Sequence, residues 1–138
     1  MAAYQNVTPV QLSQASLTTS YVTLYTVPSN PTTPTRTYMK QIDVCNTTGS
    51  PITFNLHIVP ATFSETVNNA FIYGLSVAAN SIYSYSGVQV LPTASTIQAK
   101  ASATGLNIFI SGGEAVWQQP QWIIPRYFQG QASSFMML

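Results

Sequence analysis

Ile52-Thr-Phe-Asn-Leu-His-Ile-Val59 alternates apolar and polar side chains almost to its end. Successive side chains of a strand point to opposite faces, so Ile52, Phe54, Leu56 and Ile58 share one face and Thr53, Asn55 and His57 the other. Pro60 has no backbone N–H to give and ends the run. The same period of two recurs upstream. Thr37 to Asn46 is expected as a strand with Tyr38, Ile42 and Val44 inward and Lys40 near its start. It is followed by the turn cluster Asn46-Thr-Thr-Gly-Ser-Pro51, where Gly49 is expected to supply a positive φ. Earlier still, Tyr21 to Val27 places Val22, Leu24 and Thr26 on one face and Tyr21, Thr23 and Tyr25 on the other. Three prolines in Pro28-Ser-Asn-Pro-Thr-Thr-Pro-Thr35 then impose an extended loop.

Downstream, residues 61–69 are polar and read as a loop, with a short helical turn possible from Ser64. Phe71 to Val77 returns to strand character, with Gly74 suggesting a bulge or a close backbone approach. Ile82 to Tyr85 and Val88 to Leu91 read as two short strands separated at Gly87. Thr96 to Ser102 sends Ile97, Ala99 and Ala101 inward. A turn at Thr104-Gly105 leads into Leu106 to Ser111, and Gly112-Gly113 is expected to close the domain. Eight candidate strands at short spacing, with no stripe of helical period, predict an all-β fold. The expected architecture is a single jelly-roll-like β-sandwich over residues 15–113.

The ends depart from this pattern. Residues 1–14 read as a short N-terminal arm and residues 114–138 as a C-terminal docking arm. In the latter, Trp117, Trp122, Tyr127, Phe128 and Phe135 lie among Gln, Pro and Ser without period two, and Arg126 is the one cation. Ordering such a segment costs about 1–2 kcal/mol per residue in backbone entropy. A buried large side chain returns only about 1.5–3 kcal/mol. The arm therefore needs extensive contacts to settle. Those aromatics, with Arg126, are the candidate interface residues.

Composition points the same way. Charged residues make up 5% of the chain, against roughly 25% in ordinary soluble domains. The formal charge of +1 offers no footprint for nucleic acid, which needs clustered Lys and Arg. No apolar run has the length of a membrane span, and the N-terminus lacks the pattern of a signal peptide. A surface this poor in charge suits a protein covered by other protein.

Nothing marks an enzyme, a metal site or a cofactor site. His57, the only histidine, is expected on the outer face of its strand as a solvated or interface residue. Asp43, Glu65 and Glu114 are far apart in sequence, and no His/Cys/Asp/Glu set has ligand spacing. Cys45 has no partner for a disulfide and reads as a buried thiol. Arg36, Lys40 and Asp43 form either a surface ion pair or a contact that sets register between subunits. Asn6-Val-Thr8 and Asn46-Thr-Thr48 match the glycosylation pattern, a match common by chance. Tyr21, Tyr25, Tyr83 and Tyr85, read as outward-facing, admit two roles: a sugar-stacking platform, or packing and interface anchors, the more favoured.

Two stretches together resemble a known module: Tyr21-Val-Thr-Leu-Tyr-Thr-Val-Pro28 and Val44-Cys-Asn-Thr-Thr-Gly-Ser-Pro-Ile-Thr-Phe-Asn-Leu-His-Ile-Val-Pro60. They are similar to a β-rich module of virion proteins of tailed bacteriophages, and Ser76 to Ser81 and Thr96 to Gly105 continue the likeness. The resemblance implies a structural component of the particle and carries over no catalytic residue. The expected role is a capsid decoration, or cement, protein bound to the major capsid protein as a homotrimer. Such a protein is assembled in the host cytoplasm and resides in the virion. A tail, baseplate or fibre-associated subunit is the alternative, and a glycan- or receptor-binding module the rival from another class.

Overall fold

A computed structural model describes residues 4–29 and 35–118, with side chains over 7–29 and 35–116. Eight strands follow in chain order: β1 (Tyr4–Ser16), β2 (Val22–Thr26), β3 (Thr35–Asn46), β4 (Ile52–Val59), β5 (Ala70–Val77), β6 (Ile82–Leu91), β7 (Thr96–Ala101) and β8 (Leu106–Gln118). A single 3-10 turn, Val67–Asn69, lies between β4 and β5. The strands form two antiparallel four-stranded sheets, ordered β1-β8-β3-β6 and β2-β7-β4-β5. This interleaving of the first strand with the last, and the second with the seventh, is that of an eight-stranded jelly roll.

The sheets face each other across an apolar core. Phe54, Leu56 and Ile97 come from one sheet, and Met39, Ile42, Ile108 and Ile110 from the other. Each such side chain contributes about 1.5–3 kcal/mol by leaving water. Ile97, Ala99, Ala101, Leu106, Ile108 and Ile110 all face inward as their alternation predicts.

Bulges shift the phase of the alternation elsewhere. In β3 the register with both neighbours slips between Met39 and Gln41. Before the slip the odd residues Thr35, Thr37 and Met39 are buried; after it the even residues Ile42, Val44 and Asn46 are. A bulge adds one residue to a strand and so turns the following side chains to the other face. Tyr38 therefore lies on the outer face, not the inner one. A slip between Thr23 and Tyr25 in β2 likewise turns Tyr25 inward against the core, where Leu24 also packs.

The strands also reach beyond the stretch with clear alternation. β1 begins at Tyr4 and pairs with β8 from Tyr4↔Gln118 to Ser16↔Asn107, so residues 4–14, read as an arm, are strand. A slip between Gln11 and Ser13 breaks their periodicity, and Pro9 is accommodated because β1 is an edge strand. β8 runs straight through Gly112-Gly113. A Cβ at Gly112 would sit 1.8 Å from the Tyr38 carbonyl oxygen, so glycine there lets β3 and β8 stay paired rather than ending the sheet. Ile82 to Leu91 is one strand, β6, where two were expected.

Turn chemistry differs from expectation at one place. Gly49 is not among the glycines with positive φ, whereas Gly74 and Gly105 are. The Asn46 side chain shapes that turn instead. Its Oδ1 accepts from the Thr48 backbone N–H (2.9 Å) and hydroxyl (2.8 Å), and its Nδ2 donates to the carbonyls of Ser50 (2.8 Å) and Val77 (3.0 Å). Asn46 is buried with its amide fully used, so the glycosylation pattern there offers no accessible acceptor.

Candidate interaction surfaces

The outer face of the β1-β8-β3-β6 sheet carries Arg36, Lys40 and Asp43 along β3, with apolar side chains exposed on the strands around them. Its register lines up Pro9, Gly113, Tyr38 and Val90 across all four strands. Val88 and Val90 are 57% and 55% exposed, and Val7, Ile82 and Phe109 are exposed as well. A groove of about 270 Å³ crosses this face, walled by Val7, Pro9, Tyr38 and Val88 over Gly112 and Gly113. It adjoins a second hollow of about 490 Å³ that shares Pro9, Lys40 and Gly112. Lys40 is the one charged residue lining either. Glycine at 112 and 113 is what leaves the groove open, since a Cβ at Gly113 would lie 3.2 Å from the Val7 side chain.

The outer face of the β2-β7-β4-β5 sheet is built differently. The register sets His57 beside Gln98 and Asn55 beside Lys100, all on the side away from the core. His57 does point outward, as alternation predicts, yet it is only 1% exposed. The expectation of a solvated histidine fails because Tyr21, Tyr73 and Asn69 cover it. The Tyr21 and Tyr73 rings meet the imidazole edge to face, at centroid distances of 5.1 and 6.4 Å.

Hydrogen bonds fix the tautomer. Asn69 Oδ1 can only accept; it takes the Thr66 backbone N–H (3.0 Å) and lies 2.8 Å from His57 Nδ1, so Nδ1 carries the proton. Nε2 then accepts from the Tyr21 hydroxyl (2.9 Å), which itself accepts from Asn55 Nδ2 (3.3 Å). Asn69 Nδ2 donates to the Ser64 carbonyl (2.9 Å), which ties residues 64–69 to the same network. The Lys100 ammonium sits 5.0 Å from the Tyr21 ring centroid, a cation–π contact. Every polar group of this cluster has a partner, which makes it a structural clamp between a loop and a sheet.

A third polar cluster joins the two sheets from inside. Tyr25 on β2 donates its hydroxyl proton to the Glu114 carboxylate on β8 and lies 2.8 Å from the Thr37 hydroxyl on β3. Burial, then the bond to Glu114, pushes the Tyr25 phenol up to about 12. Elsewhere the scarce charges meet neutral partners. Asp43 accepts from Gln41 Nε2 (3.0 Å) and the Ser84 hydroxyl (2.6 Å), while Arg36 donates to the Thr35 carbonyl (3.2 Å) and the Thr93 hydroxyl (2.9 Å). The ion pair considered for Arg36, Lys40 and Asp43 is thus replaced at Asp43 and Arg36 by neutral contacts.

Of the candidate interface residues, Trp117 lies in β8, paired through its backbone with Gln5. Trp122, Arg126, Tyr127, Phe128 and Phe135 lie outside the described residues. The four tyrosines do not form one platform. Tyr25, Tyr83 and Tyr85 pack against the core, and the ring of Tyr21 is engaged by His57 and Lys100. Cys45 is half-buried on the outer face of β3, not enclosed. The feature that sequence reading missed is the groove, because it depends on the bulge at Lys40 and on the run of β1 along β8. Its signal in the sequence is Gly112-Gly113 inside a long strand. Among the described residues, no group of three His, Cys, Asp or Glu is placed to hold a metal ion, and no helix is long and apolar enough to cross a membrane.

Neither a protein-family model nor a curated protein matches the chain. Among solved structures, a chain of the disulfide-linked pili of Bacillus endospore appendages is 12% identical at a TM-score of 0.44, covering 86% of this chain and 90% of that one. A chain of infectious bursal disease virus, Gx strain, is 12% identical at a TM-score of 0.48, over 85% of this chain and 33% of the other. The chain thus spans about a third of that viral protein. A chain of the virus-like particle of extra small virus, from the giant freshwater prawn Macrobrachium rosenbergii, is 12% identical at a TM-score of 0.41, over 88% and 82%. At such identities and scores these likenesses carry no argument about function.

Proposed function

We propose that this chain is a structural subunit of a virion, of the tailed-phage kind its strand motifs resemble, and that it acts as a capsid decoration protein. Its work is to bridge neighbouring subunits of the major capsid protein, with a homotrimer as its unit and the chain after β8 as the bridging arm. The observation that carries this reading is on the outer face of the β1-β8-β3-β6 sheet, where Val7, Val88 and Val90 are exposed at a groove whose one charged lining residue is Lys40. A free monomer rarely leaves a contiguous apolar patch bare, and β6 presents it on an edge strand, where unpaired backbone groups invite association. Neutral contacts of this kind cover surface without stranding buried charge. Because arm contacts exist only in the assembly, they stabilise only the assembled state.

The test is to count copies per purified particle and to remove residues 119–138, which leaves β8 whole. Many copies per head, with loading and heat protection of shells lost on truncation, support decoration. Full loading and equal protection by the truncated chain remove the arm from the mechanism. A copy number of a few per particle points instead to a tail, baseplate or fibre-associated subunit. The glycan-binding alternative is disfavoured by the inward packing of Tyr25, Tyr83 and Tyr85.

A further inference from the structure

We infer that the groove on the outer face of the β1-β8-β3-β6 sheet is the seat for residues 119–138 of a second copy of this chain. The inference rests on the homotrimer proposed above and says where the arm of one copy lands on the next. The groove asks for an apolar, extended occupant. Its walls are Val7, Pro9, Tyr38 and Val88, its floor is the backbone of Gly112-Gly113, and its volume of about 270 Å³ admits a large side chain. The neighbouring hollow continues it along the strands.

The chain beyond Gln118 has that character. Residues 119–138 contain one charge, Arg126, and two apolar runs, Trp122-Ile-Ile124 and Phe135-Met-Met-Leu138. Pro120 and Pro125 bracket the first run, and neither has a backbone N–H to give. Fully extended, the segment spans up to about 65 Å, enough to cross onto a neighbour.

Direction selects a neighbour over the chain's own groove. β8 passes Gly112-Gly113 first and runs on to Gln118, so at Gln118 the strand heads away from the groove beside it. Seating in its own subunit requires a full reversal through a stretch carrying Pro120. A second copy is free to present its groove along the strand's direction instead. The match is also one of charge: Arg126 has no carboxylate to seek in a groove whose only charged lining residue is Lys40, so the apolar runs, not the cation, make the contact.

Val90 stands beside Tyr38 but is not a groove wall, which makes it a suitable reporter position. Full-length protein carrying photoreactive benzoylphenylalanine in place of Val90 is mixed in equal parts with isotope-labelled unmodified chain, then irradiated. The expected crosslinks join position 90 to residues 119–138, in both labelled and unlabelled form, and the peptide identifies which apolar run is seated. Crosslinks confined to other segments, to the same copy, or absent altogether overturn the inference. A second variant, Val88→Asp, sits on an exposed wall and is expected to lower wild-type self-association at least tenfold with an unchanged melting temperature; unchanged association also overturns it. If removal of 119–138 abolishes shell loading while crosslinks fall elsewhere, the bridging role stands and this seat for it does not.

Discussion

The two outer faces of the sandwich differ in how their side chains are partnered. On the β2-β7-β4-β5 side, Tyr21, Asn55, His57 and Asn69 satisfy one another, and the Lys100 ammonium lies over an aromatic ring. The polar groups of that face are closed on one another, although Tyr73 beside them is 62% exposed. On the β1-β8-β3-β6 side, Val88 and Val90 project from an edge strand above a groove that no described side chain fills. A polar network that is fully paired stabilises the monomer, because breaking any member strands the others. An exposed apolar face adds nothing to the monomer and much to an assembly. The contrast separates residues needed to fold from residues available to bind.

The largest expected effect falls where the open face is framed. Gly112→Ala drives a Cβ against the Tyr38 carbonyl, which is backbone and cannot yield without breaking the β3–β8 pairing. A loss of about 3 kcal/mol is expected in urea unfolding; a variant of wild-type stability refutes the close approach. His57→Ala tests the closed face. It leaves the Tyr21 hydroxyl and Asn69 Oδ1 without their partner, at about 2 kcal/mol, and loosens residues 64–69 in hydrogen exchange. Protection of those amides at wild-type level contradicts the clamp.

Tyr25→Phe probes the staple between the two sheets and is expected to cost about 1 kcal/mol at neutral pH. It also removes a pH effect whose sign is fixed. The phenol is raised from an unfolded value of 10.0 to about 12 in the fold, so its contribution is complete below pH 10 and is lost as pH rises towards 12. Wild-type stability should fall more steeply than that of the variant across that window; parallel curves break the assignment. The smallest effect on folding belongs to the open face. Val90→Ser should change monomer stability by no more than about 0.5 kcal/mol while weakening self-association in sedimentation. A large loss of stability with association intact would invert the comparison.

Much of this was legible in the chain. β4, β7 and the first half of β8 keep strict alternation, so Phe54, Leu56, Ile97 and Ile108 could be placed in the core directly. Legibility failed where an extra residue entered a strand. The bulges at Leu12, Leu24 and Lys40 each reverse the phase, which hid β1, turned Tyr25 inward and moved Tyr38 outward. Period two is a local rule, whereas a bulge is set by the partner strand, so only the pairing reveals it. The groove of the open face was legible only as Gly112-Gly113, without the walls around it.

The sequence by itself determined the all-β class, the two-layer core and a surface nearly without charge, because alternation and composition are properties of single strands and of the whole chain. Tertiary structure alone decided that His57 is enclosed, that Tyr25 joins the sheets through Glu114, and that Val7, Pro9, Tyr38 and Val88 share one groove. These residues lie far apart in the chain, and their meeting depends on strand order and register. Those are fixed by long-range hydrogen bonding and burial, which no local pattern encodes.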